Sequence, residues 1–500
     1  MAKALELLGL SKAFDGNRVL HLASLEIEWG EVHALLGENG AGKSTIMNIA
    51  NGVYAADAGE IRVDGRKVDI SGPSDATSLG LGMVHQHFKL VKRFSVAENI
   101  LLSCRRQLSI TSVGEAALAV AAKGAEVGFP VKPDAVVGEL SIAEQQRVEI
   151  LKVLLLGAKI VILDEPTAVL TEEESGSVLS FVRNLALHGH AVVLITHKLR
   201  EVIGYSDRVT VMRYGKTVLK GATANEQTAE SLAMHMVGEH MPEIKPLKRQ
   251  PGEERLVVER LSVSCLNGGV GVNQVNLSVR SGEILGIAGV GGNGQQELMD
   301  CLTGLRACSE GIIRLNGRNV TFASVAIRRN GGLRAIPSDR FGSGLVGNMP
   351  VFENLGMTRT TSGHYGRGIF FSRARMRQEA EKALAEYGIL GATPITPTRL
   401  LSGGNAQKLL LARELEEGAS ILVAHSPTRG LDVRACNAVH TTIRDAVERG
   451  AACLLISEDL EEILGLSTRV AVMSHGRIVG EFSVGEATRE VIGKLMLGHA

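Results

Sequence analysis

Polar and apolar positions alternate over residues 4–10 and again over 19–27, the period of half-buried strands. Val32, Ala34, Leu35 and Leu36 then form an apolar run that reads as a strand entering a glycine-rich turn, and residues 44–49 continue with helical character. A further apolar run ends at Met83, Val84, His85 and Gln86. Residues 97–128 are alanine-rich with helical spacing and predict a helical subdomain, and Leu140, Ser141 and Glu144 open another helix running to Leu156. Two short apolar runs predict buried strands: one ends in Asp164 and Glu165, the other in Thr196 and His197. Polar residues at the C-terminal tips of such strands point to a ligand crevice at the sheet edge, within an α/β fold.

The turn between the first apolar run and its helix reads Gly37, Glu38, Asn39, Gly40, Ala41, Gly42, Lys43, Ser44, followed by Thr45. It matches G-x-x-x-x-G-K-[ST], whose glycines let successive backbone N–H groups curl around phosphates. Lys43 then reaches the β- and γ-phosphates and Ser44 takes Mg²⁺. A strand before the turn and a helix after it are the context that the motif requires. Phe14 precedes the loop at a distance that allows either stacking on a purine or simple packing.

The pattern then starts again. Gly289, Val290, Gly291, Gly292, Asn293 and Gly294 stand 252 positions after the first loop (289 − 37), as Ser338 does after Gln86 (338 − 86). Pro427 and Thr428 stand 261 after Pro166 and Thr167 (427 − 166), and Ser402 stands 261 after Ser141 (402 − 141). Constant offsets on either side of one nine-residue insertion make the chain a tandem repeat. Pro242, Pro246 and Pro251 among charged residues mark 241–254 as an exposed linker, leaving units 1–240 and 255–500.

Composition removes several classes. Five hundred residues exceed one ordinary core. Lys+Arg 54 balance Asp+Glu 54, so no basic field advertises nucleic acid. Lys159 or Asp164 interrupts the best apolar run, so no segment of its own is expected to span a membrane, and residues 1–6 lack a secretory pattern. The expectation is a cytoplasmic chain. Six scattered cysteines without metal-ligand spacing read as reduced, mostly buried thiols.

With both loops, both Leu-Ser segments (140–141 and 401–402) and Asp164, Glu165, Pro166, Thr167 in view, the chain resembles a tandem ATP-binding cassette protein over essentially its whole length. It is similar to the ATPase subunit of bacterial importers for simple sugars and nucleosides. His85, Gln86, His87 and Phe88, residues 144–152 and residues 427–433 are more like the nucleoside branch. The resemblance implies two tandem phosphate-loop NTPase domains, each with a RecA-like core, a helical subdomain and an N-terminal antiparallel β subdomain. It implies ATP and Mg²⁺, with Ser44, Gln86 and Asp164 around the metal. Glu165 would polarise the attacking water, Gln86 would touch it, and His197 would contact the γ-phosphate. It further implies two integral-membrane permease subunits as partners, met through residues 89–100, and indirectly an extracytoplasmic solute-binding protein. The chain would then lie at the cytoplasmic face of the inner membrane. Each ATP is expected between the phosphate loop of one half and the Leu-Ser-Gly-Gly segment of the other, here Ser402, Gly403 and Gly404.

The second half departs from this pattern at nearly every chemical position. Gln295 and Gln296 stand for Lys43 and Ser44, His425 and Ser426 for Asp164 and Glu165, Ser338 for Gln86, and Glu458 for His197. The first half instead carries Ala143 in its Leu-Ser segment and Thr171 where the second has Asp432. In the swapped arrangement every departure collects in one site. One hydrolytic and one crippled site are expected. A soluble tandem cassette acting on ribosomes or nucleic acid is the rival class, which usually keeps two complete sites and a long charged helical connector.

Overall fold

The structure is a computed structural model that describes the chain except residues 1, 15, 86–87, 109, 168–169, 171, 239–246, 248–249, 266–270, 361–362, 368–369, 416–417, 487 and 497–500. Gln86 and Thr171 therefore lie outside the described residues, as do residues 241–246 and 248–249 of the stretch 241–254 read as linker. Two compact units divide it, Met1–Met241 and Pro242–Ala500.

In the first unit the alternating segments become Leu5–Phe14 and Asn17–Ile27, which pair antiparallel. With Ala58–Val63 and Arg66–Val68 they form a four-stranded sheet. Leu5–Phe14 is an interior strand, so Phe14 ends a paired strand rather than an edge. The second sheet has six strands in the order Lys216–Thr223, Arg208–Arg213, Val32–Leu36, Ala191–Ile195, Ile160–Asp164, Leu81–Val84. All its neighbours run parallel except the first two. Ala191–Ile195 is buried throughout and Ile160–Asp164 up to its last residue, as continuous apolar runs demand when both faces are covered.

The helical stretch predicted over 97–128 divides into Val96–Leu108 and Val113–Glu126. Ser112 ends the break, its side chain accepting the N–H of Glu115. These helices and Ile142–Leu155 share a separate core containing Val96, Ile100, Val120, Val148 and Leu151. Ser141 and Glu144 make a reciprocal capping box at the head of Ile142–Leu155. The turn before Val96–Leu108 is pinned by Asn99, which accepts from the Val91 N–H at 2.8 Å and donates to its carbonyl at 3.1 Å.

The second unit repeats both sheets in the same order. Asn354 repeats the asparagine pin on Val346, at 2.9 and 3.0 Å. The nine additional residues are distributed over three places. Helix Val351–Gly356 starts 255 positions after Val96–Leu108, helix Arg373–Glu386 starts 260 after Val113–Glu126, and helix Gly403–Glu414 starts 261 after Ile142–Leu155. Three residues thus enter where a five-residue π-turn forms, Arg340–Gly344. Five enter beside a small hairpin, Gly366–Arg367 with Phe370–Phe371, and one follows Arg373–Glu386.

Candidate functional site

Residues 37–44 lead from Val32–Leu36 into the helix Lys43–Ala50. Gly42 adopts φ +97°, and a side-chain carbon there would come within 2.6 Å of Leu20 Cδ2. One at Gly37 would come within 2.4 Å of the Met212 carbonyl oxygen. Glycine is required at both by close approach as much as by conformation. Gly40 also has positive φ, Asn39 and Gly40 are exposed, and Ala41 donates its N–H to the Glu38 carbonyl at 3.1 Å. Lys43 is buried, with Nζ donating to the carbonyls of Gly37 at 2.6 Å and Glu38 at 3.0 Å. The ammonium is thereby held inside the turn. Ser44 is exposed, Thr45 is half-buried, and Ser44 Oγ donates to Asp164 Oδ2 at 3.5 Å.

Asp164 ends its strand beside that hydroxyl. Burial, and then the neighbouring Glu165, pushes its carboxyl above the usual range, against the opposing pull of Lys43 and Ser44. Such a carboxylate with a hydroxyl beside it fits a divalent cation, whose charge would restore the ionised form. Glu165 departs from the strand in a left-handed turn, φ +48°, and its N–H donates to the Ile195 carbonyl at 2.9 Å. Its Oε1 meets His197 Nδ1 at 3.0 Å. Burial works to raise the Glu165 pKa, but the His197 hydrogen bond and the charges of His197, Lys43 and Lys198 outweigh it and hold the carboxyl below its ordinary value.

Phe14 has an aromatic neighbour: its ring meets Tyr54 edge-on at 5.1 Å and remains 36% exposed. Gln86 lies outside the described residues. Ser402, Gly403 and Gly404 form the head of Gly403–Glu414, where Ser402 Oγ accepts the Asn405 N–H. Lys43, Ser44, Asp164, Glu165 and His197 are thus brought together in the first unit, whereas Ser402, Gly403 and Gly404 belong to the second.

Sequence reasoning missed a buried glutamate beneath this cluster. Glu201 accepts from Thr167 Oγ1 at 2.6 Å and from Thr196 Oγ1 at 3.1 Å, joining the segments after Glu165 and before His197. Glu462 repeats the bridge from Thr428 and Ser457, each at 2.6 Å. The shared offset of 261 (462 − 201) was the available signal.

The second unit keeps this scaffold without the chemistry. Ser426 copies the left-handed turn at φ +44°, but with a hydroxyl in place of a carboxylate. Gln295 Nε2 donates to the Val290 carbonyl at 2.8 Å, as Lys43 does at Glu38, without a charge. Gln296 turns away to Asp300 at 2.7 Å. A side-chain carbon at Gly291 would stand 2.6 Å from Glu458 Oε1, so a carboxylate lies against this loop. His425 is buried with Nδ1 unpartnered, and burial, then Arg429, pushes its pKa down to about 4.

A mostly parallel six-stranded sheet with a glycine-rich loop between strand and helix, built twice, defines a tandem phosphate-loop nucleotide hydrolase. The ABC transporter family model matches residues 20–168 and 272–429, and the chain belongs to that family. Its members' ATP-binding subunits hydrolyse ATP, and so does this chain. The guanosine import ATP-binding protein NupO of Bacillus subtilis is 41% identical over 100% of this chain and 98% of its own length. The ribose import ATP-binding protein RbsA 1 of Streptomyces avermitilis is 38% identical over 98% and 94%. Among solved structures, an archaeal ribosome recycling factor in complex with a ribosomal stalk protein gives a TM-score of 0.64 at 18% identity, covering 98% of this chain and 92% of that one. That likeness shows the fold alone. No helix among the described residues is long and apolar enough to cross a membrane.

Proposed function

We propose that the chain is the ATP-hydrolysing subunit of an importer for nucleosides or simple sugars, with nucleosides favoured. The observation that carries this is full-length likeness to a guanosine import ATP-binding protein at 41% identity, above the 38% to a ribose import subunit. Two integral-membrane permease subunits are its partners, docked through residues 89–100, and the chain sits at the cytoplasmic face of the membrane with an extracytoplasmic solute-binding protein acting indirectly. Reconstitution with the permease subunits encoded beside it tests this: nucleosides should stimulate ATP hydrolysis. Stimulation by ribose-like sugars alone would move the chain to the sugar branch, and recovery with ribosomes in place of membrane proteins would overturn the reading.

Residues 37–45 hold the phosphates, Lys43 supplies positive charge to the β- and γ-phosphates, and Phe14 lies against the base. Ser44, Asp164 and Gln86 would hold Mg²⁺, which when bound neutralises charge on the phosphate oxygens. Glu165 orients and polarises the attacking water, and Gln86 contacts it. His197 holds Glu165 through Nδ1 and presents Nε2 to the γ-phosphate. Ser402, Gly403, Gly404 and Asp432 of the second unit are assigned to ATP as well, from their match to the family's Leu-Ser-Gly-Gly segment and the loop that follows. The stretches 37–44 and 401–405 are intact whereas Ala143 and the loop at 289–296 depart, which supports one hydrolytic and one crippled site. Lys43→Ala should abolish turnover in the intact chain.

A further inference from the structure

The three residues that enter the second unit before helix Val351–Gly356 accompany a local structure of their own. Asp339 ends the turn that follows strand Leu333–Ile336, and its Oδ1 accepts the N–H groups of Phe341 at 3.1 Å and Gly342 at 2.8 Å. The backbone then makes the π-turn Arg340–Gly344, which begins by projecting Arg340 toward two separate segments. Its Nε donates to Gln407 Oε1 at 2.7 Å, on the second turn of the helix that Ser402 caps. Its Nη2 donates to the Arg429 carbonyl, in the loop that ends at Asp432. Its Nη1 stands 3.4 Å from where a side-chain carbon on Gly403 would lie.

Both segments are otherwise anchored separately. Asp432 Oδ1 accepts the Ala435 N–H at 2.8 Å and caps helix Val433–Glu448. Thr428 ties its loop to Glu462. On helix Gly403–Glu414, Asn405 Nδ2 donates to the Leu390 carbonyl at 2.8 Å. Arg340 spans the two with a planar, permanently charged group whose fork fits two acceptors at once. Counting 252 back from Arg340 gives Phe88, which has no donor to offer. The half whose own Leu-Ser segment carries Ile142 and Ala143 thus has no arginine at the matched position, whereas the half that keeps Gly403, Gly404 and Asp432 has Arg340.

We propose that Arg340 is a positioning residue for ATP hydrolysis: it fixes the segment 402–404 relative to the loop carrying Asp432, so that these two parts of the second unit are offered to ATP in one geometry. It contacts neither nucleotide nor water itself. This rests on the reading above that assigns these segments to ATP. Lysine cannot reproduce the fork, because a single ammonium on a flexible stem does not hold two acceptors in fixed relation.

The test is steady-state hydrolysis by the full chain with its permease partners. Arg340→Ala should lower kcat by about 10- to 100-fold, the range for misplacing catalytic groups by an ångström or less. KM for ATP should stay within about 3-fold, because the phosphate loop is untouched. Arg340→Lys should recover only a minor part of kcat. Combined with Ser402→Ala, Arg340→Ala should add little, since both act through the same segment. Unchanged kcat, additive losses, or a loss matched by the fraction of unfolded chain in a thermal melt would each overturn the proposal. Lys43→Ala reports on the underlying reading. If it leaves turnover intact the assigned ATP site is wrong and Arg340 falls with it; if it abolishes turnover while Arg340→Ala leaves kcat unchanged, only the present proposal fails.

Discussion

Glu165 Oε1 and His197 Nδ1 lie 3.0 Å apart, although 32 positions separate them in the chain. Parallel pairing sets this up: Asp164 stands opposite Ile195, so the residues just past each strand end emerge side by side. The bond holds Glu165 ionised and orients the imidazole. Glu165→Gln should lower kcat by on the order of 10²–10³, the scale of removing one catalytic electrostatic partner, with nucleotide binding retained. His197→Ala should lose comparably. Single-turnover hydrolysis alongside equilibrium ATP binding checks both, and a change confined to binding would refute the assigned roles.

Asp164 poses the opposite balance. Its carboxyl is raised by burial and by Glu165, so in the nucleotide-free chain its ionised form costs stability as pH rises past the ordinary aspartate range. Asp164→Asn should therefore raise the melting temperature of the nucleotide-free chain at pH 7. The gain should shrink as pH falls toward the ordinary aspartate range and be gone below about 4, where the carboxyl is protonated in both the folded and the unfolded chain. Mg²⁺-dependent turnover should fall by on the order of 10² or more. Thermal melts across pH, without nucleotide, measure the first effect independently of the second.

His425 gives the second unit an acid sensitivity. Its pKa falls from 6.5 to about 4, so between those values the unfolded chain takes up a proton that the folded chain refuses. Stability present above pH 6.5 is lost progressively down to about pH 4, by about 3 kcal/mol at most from this residue. His425→Gln should flatten that part of the pH dependence. Denaturant unfolding at pH 4.5 and 7 (about two points within and above the window) compares the two chains directly.

The two units should differ sharply in their response to equivalent changes. Ser426→Ala, at the position of Glu165, should leave turnover within about 2-fold, because it removes a hydroxyl from a site that carries no catalytic carboxylate. Glu458→Ala, beside Gly291, should likewise leave hydrolysis in place. Losses from Ser426→Ala equal to those from Glu165→Gln would remove the asymmetric model.

Much of this was legible in the chain itself, because its chemistry lies in contiguous stretches. GENGAGKS carries its own turn, and the runs ending in Asp164 and His197 carry their own burial, so loop, strands and repeat follow from local pattern. Even the contrast between halves is a matter of matched positions, Lys43 against Gln295 and Glu165 against Ser426. What only the tertiary structure decided are the contacts between segments. The strand register brings Glu165 to His197, the Glu201 carboxylate ties Thr167 to Thr196, and the π-turn carries Arg340 to Gln407 and the Arg429 carbonyl. A sequence lists donors and acceptors but not which pairs burial will bring within 3 Å, and desolvation, which set the pKa values of Asp164 and His425, exists only once the chain has closed around them.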